Sequence, residues 1–121
     1  MVVMQNKPVR KHTGGRYTRT KTRRLAAQGD LPTLTKIGEP RVRVKRTIGG
    51  NTSRTLLSGK TVSVPGTGKV VIKNVVENAA NRHFVRRNII TKGAIVETDK
   101  GKVKITNRPS QEGSLSGVLV K

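Results

Sequence analysis

Apolar and polar positions alternate from Arg41 onward, with Val42, Val44 and Ile48 on one face of an extended segment and Arg41, Arg43 and Lys45 on the other. Gly49-Gly50-Asn51 ends that run. Short apolar stretches follow at residues 54–57 and 61–64, separated by Ser58-Gly59-Lys60, and at 69–77 after the turn Pro65-Gly66-Thr67-Gly68. Others occupy 82–90, 93–98 and 102–106, with Asp99-Lys100-Gly101 as a hairpin loop. Residues 41–107 hold 20 of the chain's 31 Leu, Ile, Val and Phe residues, most of them the β-branched types that favour strands. The pattern predicts an all-β fold. So many short strands in a small body predict a closed or nearly closed β-barrel, because closure removes exposed edges.

One window reads two ways. Ile72, Val75, Val76, Ala79, Ala80 and Phe84 recur at helical spacing, which allows a helix over residues 74–84. The β-branched residues flanking Asn78-Ala-Ala-Asn81, and the suitability of Asn for turns, favour strand, turn, strand instead. After Arg108, Pro109, Gly113 and Gly117 predict a loop-like tail over 108–121, to which Val118, Leu119 and Val120 could add an edge strand.

The region before the barrel has a different character. Residues 1–29 carry eight basic side chains (Lys7, Arg10, Lys11, Arg16, Arg19, Lys21, Arg23 and Arg24), no acid, and only Val2, Val3, Val9 and Leu25 as large apolar groups. Too few apolar groups offset the ordering entropy, so this segment reads as a basic arm that orders against its partner. A short helix over 20–28 is allowed, with Gly29 as its cap. Residues 30–40 hold two prolines and a glycine and predict an extended connector, with the fold beginning after Pro40.

Charge then narrows the function. With 26 Lys and Arg against 6 Asp and Glu, the 121-residue chain has a formal charge of +20, which points to a polyanionic partner. It contains no Cys, so thiolate chemistry and disulfides are out. The longest apolar run, residues 1–4, is far short of a membrane span or secretory signal, and the single Phe and missing Trp argue against a lipid surface. A soluble, cytoplasmic protein is expected.

Catalytic motifs find little support. Gly59-Lys60-Thr61 copies the end of a phosphate-binding loop, but Arg54 stands where the motif needs a glycine; Gly68-Lys69 fails likewise, with Ser63 at that position. Leu115 occupies the centre of Gly113-Ser-Leu-Ser-Gly117, where a nucleophile elbow needs Ser. His12 and His83 stand apart with no metal-ligand spacing. Glu97 and Asp99 could share a strand face, yet they read more simply as offsets to Lys100, Lys102 and Lys104. No enzyme activity, cofactor or small-molecule substrate is predicted.

The basic residues carry the positive reading. Arg41, Arg43 and Lys45 on one strand and Lys102 and Lys104 on another alternate with apolar positions, which predicts a basic wall suited to phosphates. Only Tyr17 and Phe84 are aromatic, so base stacking is not the mode, and recognition of a folded RNA or duplex through backbone and shape follows. Two other readings remain open: a free RNA- or DNA-coating chaperone or chromatin-like protein, and an enzyme acting on a phosphorylated substrate.

Five motifs occur in one order: Arg10-Lys-His-Thr-Gly-Gly-Arg16 with its following basic run, Gly38-Glu-Pro-Arg-Val-Arg43, Arg46-Thr-Ile-Gly-Gly-Asn51, Val75-Val-Glu-Asn-Ala-Ala-Asn81 and Lys92-Gly-Ala-Ile-Val96. Together, over residues 7–120, they resemble the small-subunit ribosomal protein eight family of archaea and eukaryotes, which is distinct from the bacterial-type protein also numbered eight. The lack of a long central insertion resembles archaeal members. The resemblance implies a β-barrel, a basic extension threaded along ribosomal RNA, neighbouring ribosomal proteins as partners, and a structural role in the small subunit. The RNA-contacting residues in its matching motifs are Arg10, Lys11, His12, Arg16, Arg41, Arg43, Arg46 and Asn51. Lys7, Tyr17, Arg19, Lys21, Arg23, Arg24, Lys45, Lys102 and Lys104 complete the expected interface.

Overall fold

The computed structural model describes Pro8, residues 10–17 and residues 25–120. The chain divides into two compact units, Met1–Pro32 and Thr33–Lys121. In the first, residues 10–16 form a tight loop, and Leu25–Ala27 form a single 3-10 turn closed by the Gln28 N–H on the Leu25 carbonyl. That turn is all of the expected 20–28 helix within the described residues; 20–24 lie outside them.

The second unit is built from β1 (Thr35–Lys36), β2 (Arg41–Arg46), β3 (Thr52–Ser58), β4 (Thr61–Val64), β5 (Gly68–Glu77), α1 (His83–Arg86), β6 (Ile89–Ile90), β7 (Ile95–Thr98), β8 (Gly101–Ile105), α2 (Pro109–Glu112) and β9 (Gly117–Leu119). Strands β4-β5-β7-β8-β9 make a five-stranded antiparallel sheet. Long β5 pairs with β4 through its first half and with β7 through its second, and its register shifts at Ile72/Asn74 and Val75/Glu77 bend it around the core. A parallel bridge from Ser63 to Ser116, carried by the Ser63 N–H on the Leu115 carbonyl at 2.9 Å, links the β4 edge to the entry of β9. The sheet is a nearly closed barrel, as the strand pattern predicted.

Alternation places the core. Val62 and Val64, Val70 and Ile72, Val96, and Val103 and Ile105 point inward from β4, β5, β7 and β8, joined by Leu56, Val75, Ile90 and Leu115. Strand β9 must lie close to β8 to complete it. A side chain at Gly117 would place its Cβ 2.5 Å from Val103 Cγ1 and 2.8 Å from the Lys104 carbonyl, so only glycine fits there.

The second sheet, β2-β3-β1-β6, corrects several expectations. The 30–40 connector is not wholly irregular. Thr35 is 1 % exposed, its hydroxyl donates to the Leu56 carbonyl, and β1 pairs in parallel with β3 and antiparallel with β6, so the fold starts before Pro40. Residues 82–90 are not one strand. Asn78 Oδ1 accepts from the Ala80 N–H and Asn81 Oδ1 from the His83 N–H, and these two side-chain turns start the helical turn α1 before the two-residue β6. The tail is more ordered than a loop: Asn107 holds Ser114 and Ser116 through its side chain, α2 starts on Pro109 and ends on left-handed Gly113, and β9 supplies the expected edge strand.

The largest departure concerns β2, whose six residues are all exposed. Val42, Val44 and Ile48, expected in the core, are 47 %, 61 % and 99 % exposed. The reason is positional: β2 is an edge strand, Val44 lies opposite Arg54 and Arg46 opposite Thr52, and on β3 the core reaches only Leu56. Gly117→Ala should therefore destabilise the body by about 1–3 kcal/mol through overpacking, seen as a lower urea midpoint at unchanged slope. Val44→Ser should shift stability by less than about 0.5 kcal/mol in the same titration, against several times that for a core valine.

Candidate nucleic-acid interface

Two basic surfaces emerge, one in each unit. In the first, Arg10 and Arg16 form an antiparallel bridge, the Lys11 N–H donates to the Gly15 carbonyl, and the Gly14 N–H donates to the Lys11 carbonyl. The Arg10 guanidinium closes the loop on the Gly14 carbonyl at 2.8 Å. Gly14 has φ +83°, a left-handed conformation that side chains resist, which lets the chain reverse within one turn. Arg10, Lys11, His12 and Arg16 are thereby presented on one exposed loop, and the Lys11 ammonium sits 5.7 Å from the Tyr17 ring centroid. Lys7, Arg19, Lys21, Arg23 and Arg24 lie outside the described residues.

The second surface is the ribbon formed by β2 and β3. Its strands pair from Val42 with Leu56 out to Arg46 with Thr52, and the turn beyond is drawn shut by the Thr47 N–H and hydroxyl on the Asn51 carbonyl. Gly49 and Gly50 both have positive φ at its tip, and a Cβ on Gly50 would meet nothing within 4 Å, so the backbone there is bare. Arg41, Arg43 and Lys45 share one side, with Ser53 and Thr55 opposite the last two. Arg46 lies on the other side, as does Arg54, which the sequence reading did not select. Charge therefore surrounds the ribbon. Among the described residues, none of Arg41, Arg43, Arg46 and Arg54 forms an ion pair.

The expected continuous wall does not form. Lys102 and Lys104 are exposed on β8, in the five-stranded sheet, whereas Arg41, Arg43 and Lys45 stand on an edge of the other. Lys102 is paired in register with Glu97, and Asp99 lies 3.2 Å from Lys73, so carboxylates are interspersed among the lysines of that face. Asp99 is thus ion-paired with Lys73, and Glu97 stands across from Lys102 on the sheet surface. Gly59 is buried against Leu56 and Leu115, and its N–H donates to the Lys36 carbonyl, so Gly59-Lys60-Thr61 is a packed connection from one sheet to the other with no backbone donor at Gly59 left for a phosphate.

Residues 4–120 match the family model described as ribosomal protein S8e. The chain belongs to the ribosomal protein S8e family. It is 42% identical to the small ribosomal subunit protein eS8 of Methanobrevibacter smithii, over 99% of this chain and all of that protein. The proteins of the same name from Methanocorpusculum labreanum and Methanoculleus marisnigri are each 44% identical, over 99% and 96% of this chain and 100% and 97% of their own lengths. The resemblance drawn from the five motifs is therefore correct, and the relatives are archaeal, as the missing insertion implied.

In this S8e-family chain the loop of residues 10–16 depends on Gly14 for its shape. Gly14→Ala adds no clash but strains the backbone by about 1–2 kcal/mol. It should weaken binding to a small-subunit RNA fragment several-fold in a filter assay, and leave the thermal transition of the body unchanged.

Proposed function

We propose that the chain is a structural, non-enzymatic component of the small ribosomal subunit that grips ribosomal RNA by its phosphates, using the loop of residues 10–16 and the β2–β3 ribbon. One observation carries the reading. The ribbon extends beyond the core with four arginines around it, none ion-paired among the described residues, and with a bare Gly-Gly tip. Leaving such charge uncompensated destabilises a chain at +20 through self-repulsion, and a polyanion removes that cost on binding. Arg41, Arg43, Lys45, Arg46, Arg54 and Asn51 are the ribbon's contacts. Arg10, Lys11, His12, Arg16 and Tyr17 are those of the loop, and the basic positions 7, 19, 21, 23 and 24 extend it. Lys102 and Lys104 are secondary, because Glu97 faces Lys102.

The role places the protein on the ribosome, beside other ribosomal proteins. Among the described residues no helix is long and apolar enough to cross a membrane. Sedimentation of a cell lysate at moderate salt should find the protein with small subunits; a large free pool would favour an RNA-coating role away from the ribosome.

Salt dependence tests the contact mode. If arm and ribbon neutralise on the order of ten phosphates, the logarithm of the binding constant should fall with the logarithm of salt at a slope of about −7 to −9. Ala at Arg41, Arg43 and Arg46 together should flatten the slope by about two to three units, and equally for different folded RNAs if the contacts are to backbone. An unchanged slope would refute the ribbon contacts.

A further inference from the structure

The ribbon does not hold all the unpaired charge. From Asn78 to Val96 the chain has four Lys or Arg residues, His83 and no acid. Three of the four, Arg82, Arg86 and Arg87, are exposed on α1 and its flanks. The turn half-buries Phe84 and Val85, and packs Val85 on the core, while Arg82 with Arg86 and His83 with Arg87 point outward as neighbours four residues apart. Lys36 adds a fourth exposed cation beside them, because β1 pairs Lys36 with Ile89 and the Ile37 N–H donates to the Asn88 carbonyl.

This cluster is held in place. Asn78, 6 % exposed, donates to the Ile89 carbonyl and accepts from the Ala80 N–H and the Thr91 hydroxyl, which fixes both ends of the segment. The Asn81 side chain caps the start of the turn and left-handed Asn88, at φ +51°, ends it. Among the described residues none of Arg82, Arg86 and Arg87 has an ion-pair partner. Four mutually repelling cations on a rigid support, with no ion-pair partner among the described residues, match an extended row of phosphates better than a solvated face.

Its position separates it from the ribbon. In the β2-β3-β1-β6 sheet the ribbon forms one edge, and β6, which follows directly from α1, forms the other. Three strand spacings of about 4.8 Å put the edges about 14 Å apart, beyond the Debye length of about 8 Å at physiological salt. Arg82, Arg86 and Arg87 therefore stand beyond that screening distance from the ribbon, while Lys36, on β1, lies between the two edges.

We propose that α1 with Arg82, Arg86, Arg87 and Lys36 is a second phosphate-binding site for duplex RNA, so that one protein molecule holds two RNA segments at opposite edges of a single sheet. The proposal rests on the ribbon being the first such site. Two short RNA duplexes test it: one immobilised, the second fluorescent and added after the full-length protein. The wild-type chain should retain the second duplex. Arg82→Ala, Arg86→Ala and Arg87→Ala together should reduce that retention about tenfold or more while changing binding to a single duplex less than about threefold. Lys at the same three positions should restore most of it, which excludes misfolding as the cause. Lys60→Ala, Lys69→Ala and Lys73→Ala together remove the same charge and should leave retention intact. Equal losses in the two alanine sets, or no loss in the first, would overturn the second site. Ala at Arg41, Arg43 and Arg46 reports on the ribbon separately: unaltered single-duplex binding there would reject the ribbon, whatever the α1 variants do.

Discussion

The hydrogen bond from the Ser63 N–H to the Leu115 carbonyl ties the first strand of the five-stranded sheet to the segment that enters its last one. Without that link, β4 and β9 would both offer open edges, and the interior between them would be wet. The core cluster is built of Leu, Ile and Val side chains, so it gains its stability from exclusion of water and close packing. Four buried polar residues around it are hydrogen-bonded: Thr35 to the Leu56 carbonyl, Thr98 to the Gly101 carbonyl, Asn78 and Asn107 to backbone on both sides. A chain so rich in positive charge folds by keeping every described Lys and Arg outside this small closed volume.

The elements that could be read from sequence are those whose signal is local. Thr61–Val64 appears with the bounds its alternation implies, and β5, β7 and β8 agree within two residues, because turn chemistry brackets each of them. Strand β1 could not be read. Two residues have no periodicity, and Thr35 becomes a strand only because Leu56, Ile89 and Ile90, far along the chain, supply its partners. The segment after Asn78 failed for another reason. Asn does form turns here, but two Asn side chains three residues apart set up a helical turn, which the β-branched residues around them do not announce.

The interface divides in the same way. Its chemical nature follows from charge and from the missing aromatics, both visible in the composition. Its geometry does not. Alternation in β2 looks the same whether or not a second layer covers Val42 and Val44, and that covering depends on where the core stops on β3. Arg54 escaped notice because its membership in the ribbon depends on the register with Val44, and the wall across Lys102 and Lys104 was drawn because strand order cannot be read from alternation.

The distribution of aromatic rings has an optical consequence. The chain contains no Trp and a single Tyr, and that ring stands in the first unit beside the Lys11 ammonium, while the barrel has only the weakly absorbing Phe84. Near-ultraviolet absorption and intrinsic emission therefore come almost entirely from the neighbourhood of the basic loop. Melting of the barrel is nearly silent at those wavelengths, and capture of a ligand by the loop is not. The protein carries its own reporter, without labelling, for the surroundings of that loop.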